Sequence, residues 1–263
     1  MLPVALWAAM AGVFGLAIGS FLNVVVYRVP AGQSIINPPS RCPSCGNQIR
    51  NRHNVPVLGW LMLRGRCADC REPISVRYPL VEFATGALFV VLTLRLVHLH
   101  WALTAYLYFA AVGLALTMID LDHRRLPDSI VLPSYPVIAI LLTASSAVDN
   151  DWAALARAAL GGAVLFAFYF AIGLAYPAGM GLGDVKLSGF VGGLLAYLSW
   201  STLIVGAFGG FLLGAVGVVI VTRGHGGRKM AFPFGPFMIA GALIAIFVAQ
   251  PIAGAYLHLL GRS

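Results

Sequence analysis

The apolar residues of this chain fall in runs close to the roughly 20 residues a helix needs to cross the hydrocarbon of a bilayer. The runs are Leu2–Val26, Leu80–Val97, Trp101–Ile119, Ile130–Val148, Trp152–Tyr176, Leu187–Trp200, Leu203–Val221 and Phe232–Leu260. The sixth is short and the last is long. None shows the period-two alternation of barrel strands. Only 10% of the residues are charged, against about a quarter in a soluble domain. The expected fold is therefore an all-α polytopic membrane protein of about eight transmembrane helices. The first run lacks a basic start and a small-residue cleavage site, so it reads as a span and not as a removed signal peptide.

A formal net charge of +8 suits nucleic acid, but its distribution points elsewhere. With eight spans, residues 27–79, 120–129, 177–186 and 222–231 share one side of the membrane and hold 14 of the 17 Lys and Arg. The other side holds Arg95, Arg157 and Arg262. That asymmetry predicts a cytoplasmic location for the first group and external termini. The expected partner of the basic excess is anionic lipid, with no nucleic acid.

Residues 27–79 form the one sizeable polar segment and contain all four cysteines. The expected division is 1–26 as a first transmembrane helix, 27–79 as a cytoplasmic segment and 80–263 as a helical membrane domain. Cys42 and Cys45 lie in RCPSCGNQ, Cys67 and Cys70 in GRCADCRE, with 21 residues between the pairs. Paired thiolates at this spacing suit tetrahedral zinc. Pro43 restrains the first turn, and Gly46 lets the backbone swing back so that amides face the sulfurs. Two disulfides are the alternative, disfavoured in a reducing cytoplasm. Four Cys ligands leave no open position for water, so the expected zinc is structural and folds a segment without a core of its own.

The chain has nine Asp and Glu. Asp149 and Asp151 fall in an outside loop, Asp69 and Glu72 in the cysteine segment. Asp128 follows Leu126-Pro127 and reads as the N-cap of the fourth span. Asp122 has Arg124 and Arg125 beside it. Asp120 closes the third span, and Asp184 ends GMGLGD (Gly179–Asp184) and opens the sixth. Those spans run in opposite directions, so both acids reach the same membrane face although 64 residues apart. Two carboxylates at one depth can share a water. Like charges close together resist joint ionisation, leaving one acid and one base, the chemistry of aspartic peptide hydrolysis. The bland readings are a lipid-surface anchor for Asp120 and an N-cap for Asp184, with Lys186 as its ion-pair partner. Gly179, Gly181 and Gly183 favour the hydrolytic reading, because they permit positive φ and close approach to a substrate chain. Glu82, in RYPLVEFATG, lies just inside the second span. A buried acid there usually has a function, though a first-turn acid also complements a helix N-terminus.

Several stretches together resemble the type IV prepilin peptidases, bifunctional leader peptidase/N-methyltransferases of the bacterial inner membrane. They are GSFLNVVVYRVP (Gly19–Pro30), RCPSCG, RGRCADC, RYPLVEFATG, IDLDHRRLPD, GMGLGDVKL and FPFGPF (Phe232–Phe237), in the expected order over most of the chain. The resemblance implies that Asp120 and Asp184 are the catalytic pair. It implies prepilin or pseudopilin substrates with a basic leader and an apolar helix. These would be cut after a glycine at the cytoplasmic face, then N-methylated from S-adenosylmethionine. For methyl transfer, Glu82, Gly65 and Arg66 are the residues to inspect. No Gly-rich nucleotide loop is present. The competing readings are a monofunctional peptidase or a non-catalytic adaptor or transporter docked through its zinc module.

Overall fold

The structure is a computed structural model that describes residues 3–99, 101–176, 180–224 and 233–259. Among them the chain is helical, with two isolated β-bridges and no strand. The helices are α1 (Val4–Arg28), α2 (Leu58–Met62), α3 (Arg77–Leu96), α4 (Ala102–His123), α5 (Asp128–Asp149), α6 (Trp152–Ala175), α7 (Leu182–Leu198), α8 (Trp200–Gly224) and α9 (Gly235–Leu259). Seven of these are long and apolar enough to cross a membrane: all but α2 and α7. The sequence reading of an all-helical polytopic membrane protein holds.

Helix ends differ from the apolar runs because polar residues extend helices beyond the greasy core. α4 continues through Asp120 and Asp122 to His123 and stops where Arg124 takes φ 51°. α7 begins at Leu182, five residues before the apolar run, because an acid in the first turn suits a helix N-terminus. Only Ser199 separates α7 from α8. The start of the last run, Phe232, lies outside the described residues, as does Gly179.

The chain divides into two compact units, Met1–Ala115 and Leu116–Ser263. In the first, α1 and α3 pack antiparallel along a seam of small residues. A Cβ at Gly15 would stand 2.9 Å from the Cα of Gly86, and one at Gly12 2.7 Å from Val90. Without a hydrophobic drive between helices in lipid, such close approach supplies the van der Waals attraction. Asn23 Nδ2 donates to the Tyr78 carbonyl at 3.1 Å and ties α1 to the start of α3.

In the second unit, α7 is buried on all sides: of the residues from Val185 to Tyr197, only Lys186 is not. A helix apolar all round belongs inside a bundle, and α7 packs against α5, α6, α8 and α9. Its C-terminal carbonyls are satisfied by Arg157 of α6. Nε donates to Ala196 O and an Nη donates to Tyr197 O, each at 2.6 Å. Arg157, counted at first as a topology charge, thus also serves as a cap for the unpaired carbonyls of a buried helix end.

The N-terminus of α7 is fixed from α5. The Tyr135 hydroxyl donates to the Lys186 carbonyl, and Lys186 Nζ reaches the two Asp128 carboxylate oxygens at 2.8 and 2.9 Å. Two expectations are corrected here. Asp128 is not an N-cap: Pro127 holds that position, and Asp128 is the first helical residue, its side chain drawn to Lys186. Lys186 accordingly pairs with Asp128 and not with Asp184.

Candidate active site

Asp120 sits near the end of α4 and Asp184 in the first turn of α7. The two carboxylates lie within electrostatic reach of each other. The backbone N–H of Gly235, first residue of α9, faces both. A Cβ added at Gly235 would stand 2.9 Å from Asp120 Oδ2. Three helix ends distant in sequence therefore meet at one point, two contributing acids and the third a bare amide. Leu126, from the α4–α5 connection, closes the side: its Cβ would be 3.0 Å from a Cβ at Gly183, and its Cδ2 3.3 Å from one at Gly235.

Asp120 is 4% exposed. Its Oδ2 and the Oδ1 of Asp184 are buried with no hydrogen-bond partner among the described residues. Neither bland reading fits. A lipid-surface anchor would be exposed, and the N-cap position of α7 is held by Gly181, with Asp184 inside the first turn. Leaving a buried carboxylate oxygen unpaired is costly and calls for a functional explanation. Two carboxyl groups at one point can hold one water, taking a proton from it at one side and giving a proton at the other.

The glycines act otherwise than expected. Gly181 has φ −74° and Gly183 is helical, so neither uses positive φ. Gly183 admits Leu126, and Gly181 admits the Asp184 carboxylate, whose Oδ2 would be 3.2 Å from a Cβ there. Sequence reasoning missed Gly235 as the meeting point and treated it only as part of FPFGPF. A Gly-Pro pair opening a helix was the available signal. It also missed Leu126 and Tyr135, which carry no mark of their role in the sequence.

The cysteine segment forms two similar knuckles. Arg41 bridges Gln48, and Arg66 bridges Pro73. Within them the Cys42 amide donates to Asn47 O at 2.9 Å and the Cys67 amide to Glu72 O at 2.8 Å. Gly46 takes φ 75° as expected, and Arg71 takes φ 64° at the same place in the second knuckle. The four sulfurs lie within 4.8 Å of one another, with Cys42 Sγ 3.8 Å from Cys70 Sγ. Tetrahedral zinc with bonds of about 2.3 Å sets its sulfurs roughly 3.8 Å apart, so the cluster fits that ion. The amides of Cys45 and then Ser44 pull the Cys42 thiol down to about 6. At Cys70 the Glu72 amide also lowers, but desolvation and the other sulfurs outweigh it and push the thiol up to about 12.

Of the three residues nominated for methyl transfer, Glu82 and Gly65 make local contacts, and Arg66 takes part through its backbone, with its side chain exposed. Buried Glu82 accepts the Val57 N–H at 2.7 Å through Oε2 and holds Val57 at φ 60° before α2. Gly65, at φ 67°, lies against the Trp60 ring, where a Cβ would be 2.7 Å from Cζ2. Arg66 closes the second knuckle.

These features define a class: a polytopic helical membrane protein with two carboxylates brought together by helix ends and a cluster of four thiols able to hold a metal. Residues 13–96 match the bacterial peptidase A24 N-terminal domain, and residues 107–259 match the type IV leader peptidase family. A prepilin leader peptidase/N-methyltransferase of Burkholderia pseudomallei is 37% identical, over 95% of this chain and 88% of its own length. Proteins of the same name from Aeromonas hydrophila (34%; 96% and 94%) and Stutzerimonas stutzeri (33%; 94% and 92%) are similar to it over nearly the whole chain. No solved structure matches. The chain belongs to the type IV leader peptidase family.

Proposed function

We propose that this chain cleaves the leader of prepilins and pseudopilins with Asp120 and Asp184 as its hydrolytic pair, then methylates the new N-terminus. The observation that carries the cleavage reading is the convergence of Asp120 and Asp184, each with one buried oxygen that has no partner among the described residues, on the backbone amide of Gly235. A water held between them loses a proton to the ionised carboxylate as its oxygen bonds to the scissile carbonyl carbon. The protonated carboxyl gives its proton to the carbonyl oxygen. The C–N bond then breaks, and the leaving nitrogen takes up a proton from the pair. No metal enters this sequence of steps.

The methylating activity rests on the names of the full-length relatives, with S-adenosylmethionine as the donor. No step is assigned to Glu82, Gly65 or Arg66. Zinc at Cys42, Cys45, Cys67 and Cys70 is the metal that the sulfur geometry supports, and its role is to hold residues 27–79 in shape. In the proposed division, that segment serves methyl transfer and residues 80–263 carry the peptidase. The basic excess supports an inner-membrane orientation with the cysteine segment and both aspartates at the cytoplasmic face, among anionic lipids.

Incubating purified protein with a pilin-like precursor and following it by mass spectrometry tests this reading. Cleaved product without a methyl donor, and a gain of one methyl with it, is the expected result. Cleavage with no methyl gain leaves a monofunctional peptidase, and no cleavage sinks the proposal.

A further inference from the structure

Tyr169 lies on α6, fully buried at 0% exposure, and its hydroxyl has no hydrogen-bond partner among the described residues. Its ring is gripped by aromatics: Phe211 stacks on it at 5.2 Å, Phe168 meets it edge-on at 5.8 Å and Phe234 is tilted against it at 5.9 Å between centroids. Phe234 immediately precedes Gly235, on which both carboxylates converge. One turn further along α6, a Cβ at Gly173 would stand 3.6 Å from Val185, the neighbour of Asp184. The phenol is thus held at the aspartate site from a fourth helix, within electrostatic reach of Asp184.

In a cage of phenylalanines, phenylalanine would be the cheaper residue, since a buried hydroxyl without a partner lowers stability. Nor does the hydroxyl bond to Asp184 Oδ1, since neither atom has a partner among the described residues. A phenol and a carboxylate oxygen with no protein partner are both available to a third group at the site. The carboxylates supply acceptors, and the phenol supplies an O–H of fixed protonation.

We propose that Tyr169 is a third catalytic residue, whose O–H donates a hydrogen bond to the scissile carbonyl oxygen as water adds to the carbon. The proposal rests on the reading of Asp120 and Asp184 as the hydrolytic pair. As the carbonyl π bond breaks, negative charge gathers on that oxygen before the protonated carboxyl delivers its proton. A donor already in place, in a water-poor aromatic cage, stabilises that charge without reorganising. Tyr169 keeps its own proton throughout, so the proton balance of hydrolysis is unchanged.

The test is Tyr169→Phe in the purified full-length protein, assayed for cleavage of a pilin-like precursor and for methylation of an already cleaved peptide. Loss of one such donor should lower kcat by about 100-fold. KM should stay within about threefold, and the pH profile of the residual activity should keep its shape, because the group lost interacts with the transition state. Methylation should be unchanged and the thermal midpoint equal or higher. A kcat within threefold of wild type overturns the proposal. So does a loss of kcat accompanied by a lower thermal midpoint and weaker methylation, which marks a packing role. A displaced limb of the pH profile also overturns it, because the phenol would then act through Asp184. Asp120→Asn and Asp184→Asn run alongside: if either still cleaves, the carboxylate reading itself fails, whatever Tyr169→Phe does.

Discussion

No side chain fits between Asp120 and residue 235: a Cβ on Gly235 would lie 2.9 Å from Asp120 Oδ2. The bare backbone at the start of α9 lets an amide face two acids at once. Gly235→Ala should therefore displace the Asp120 carboxylate without unfolding the bundle. Cleavage should drop by roughly 10- to 100-fold, as expected when a reacting group moves by an ångström or less. Steady-state rates beside a thermal melt check this. Full activity in Gly235→Ala would show that the close approach is dispensable.

The cap on α7 has a stability consequence. Arg157 is the donor to the last carbonyls of the most buried helix. Arg157→Met should cost about 3 kcal/mol, since hydrogen bonds from a charged donor are worth more than neutral ones and their loss leaves buried carbonyls bare. Equilibrium unfolding in detergent micelles measures it. The Lys186–Asp128 pair is different, because its side chains are 35% and 55% exposed. Asp128→Asn should cost under about 1 kcal/mol.

Much of this was legible in the chain. The length of the apolar runs gave the membrane class, and the spacing of Cys42, Cys45, Cys67 and Cys70 gave a metal cage whose sulfurs do gather. The antiparallel sense of α4 and α7 gave the meeting of Asp120 and Asp184. What the sequence hid were contacts with no local signature. Lys186 stands two residues from Asp184, yet binds Asp128 from another helix. Arg71 occupies the left-handed position that Gly46 fills in the first knuckle, against the usual preference for glycine. Tyr169 read as one more aromatic in an apolar run, because periodicity reports burial and says nothing of an unpaired hydroxyl.

The thiols set the pH dependence of metal binding. Zinc takes thiolates, so any thiol still protonated must release its proton on binding, and affinity falls as pH falls. Cys42, lowered to about 6, is already ionised at pH 7, whereas Cys70, raised to about 12, is not. Zinc titration of metal-free, reduced protein at pH 7 should release protons from the thiol cluster. Affinity should rise from pH 6 to pH 8. Cys42→Ser should lower bound zinc, while cleavage by the aspartates persists. A metal content near zero in reduced protein as purified would contradict the zinc assignment.

Glu82 separates scaffold from chemistry. Its carboxylate holds the Val57 amide, a bond that a Gln oxygen can also accept. Glu82→Gln should keep methyl transfer within a few-fold, whereas Glu82→Ala should release Val57 and speed its amide exchange. If Glu82→Gln abolishes methylation with Val57 still protected, the carboxylate itself meets the donor or the amine.

The most direct measurement is cleavage of a pilin-like precursor by purified Asp120→Asn and Asp184→Asn proteins, read by mass spectrometry beside methylation of a pre-cut peptide. Both variants should leave the precursor intact while methylating the pre-cut peptide normally. Ordinary processing by either one would remove that aspartate from the hydrolytic pair and contradict the mechanism.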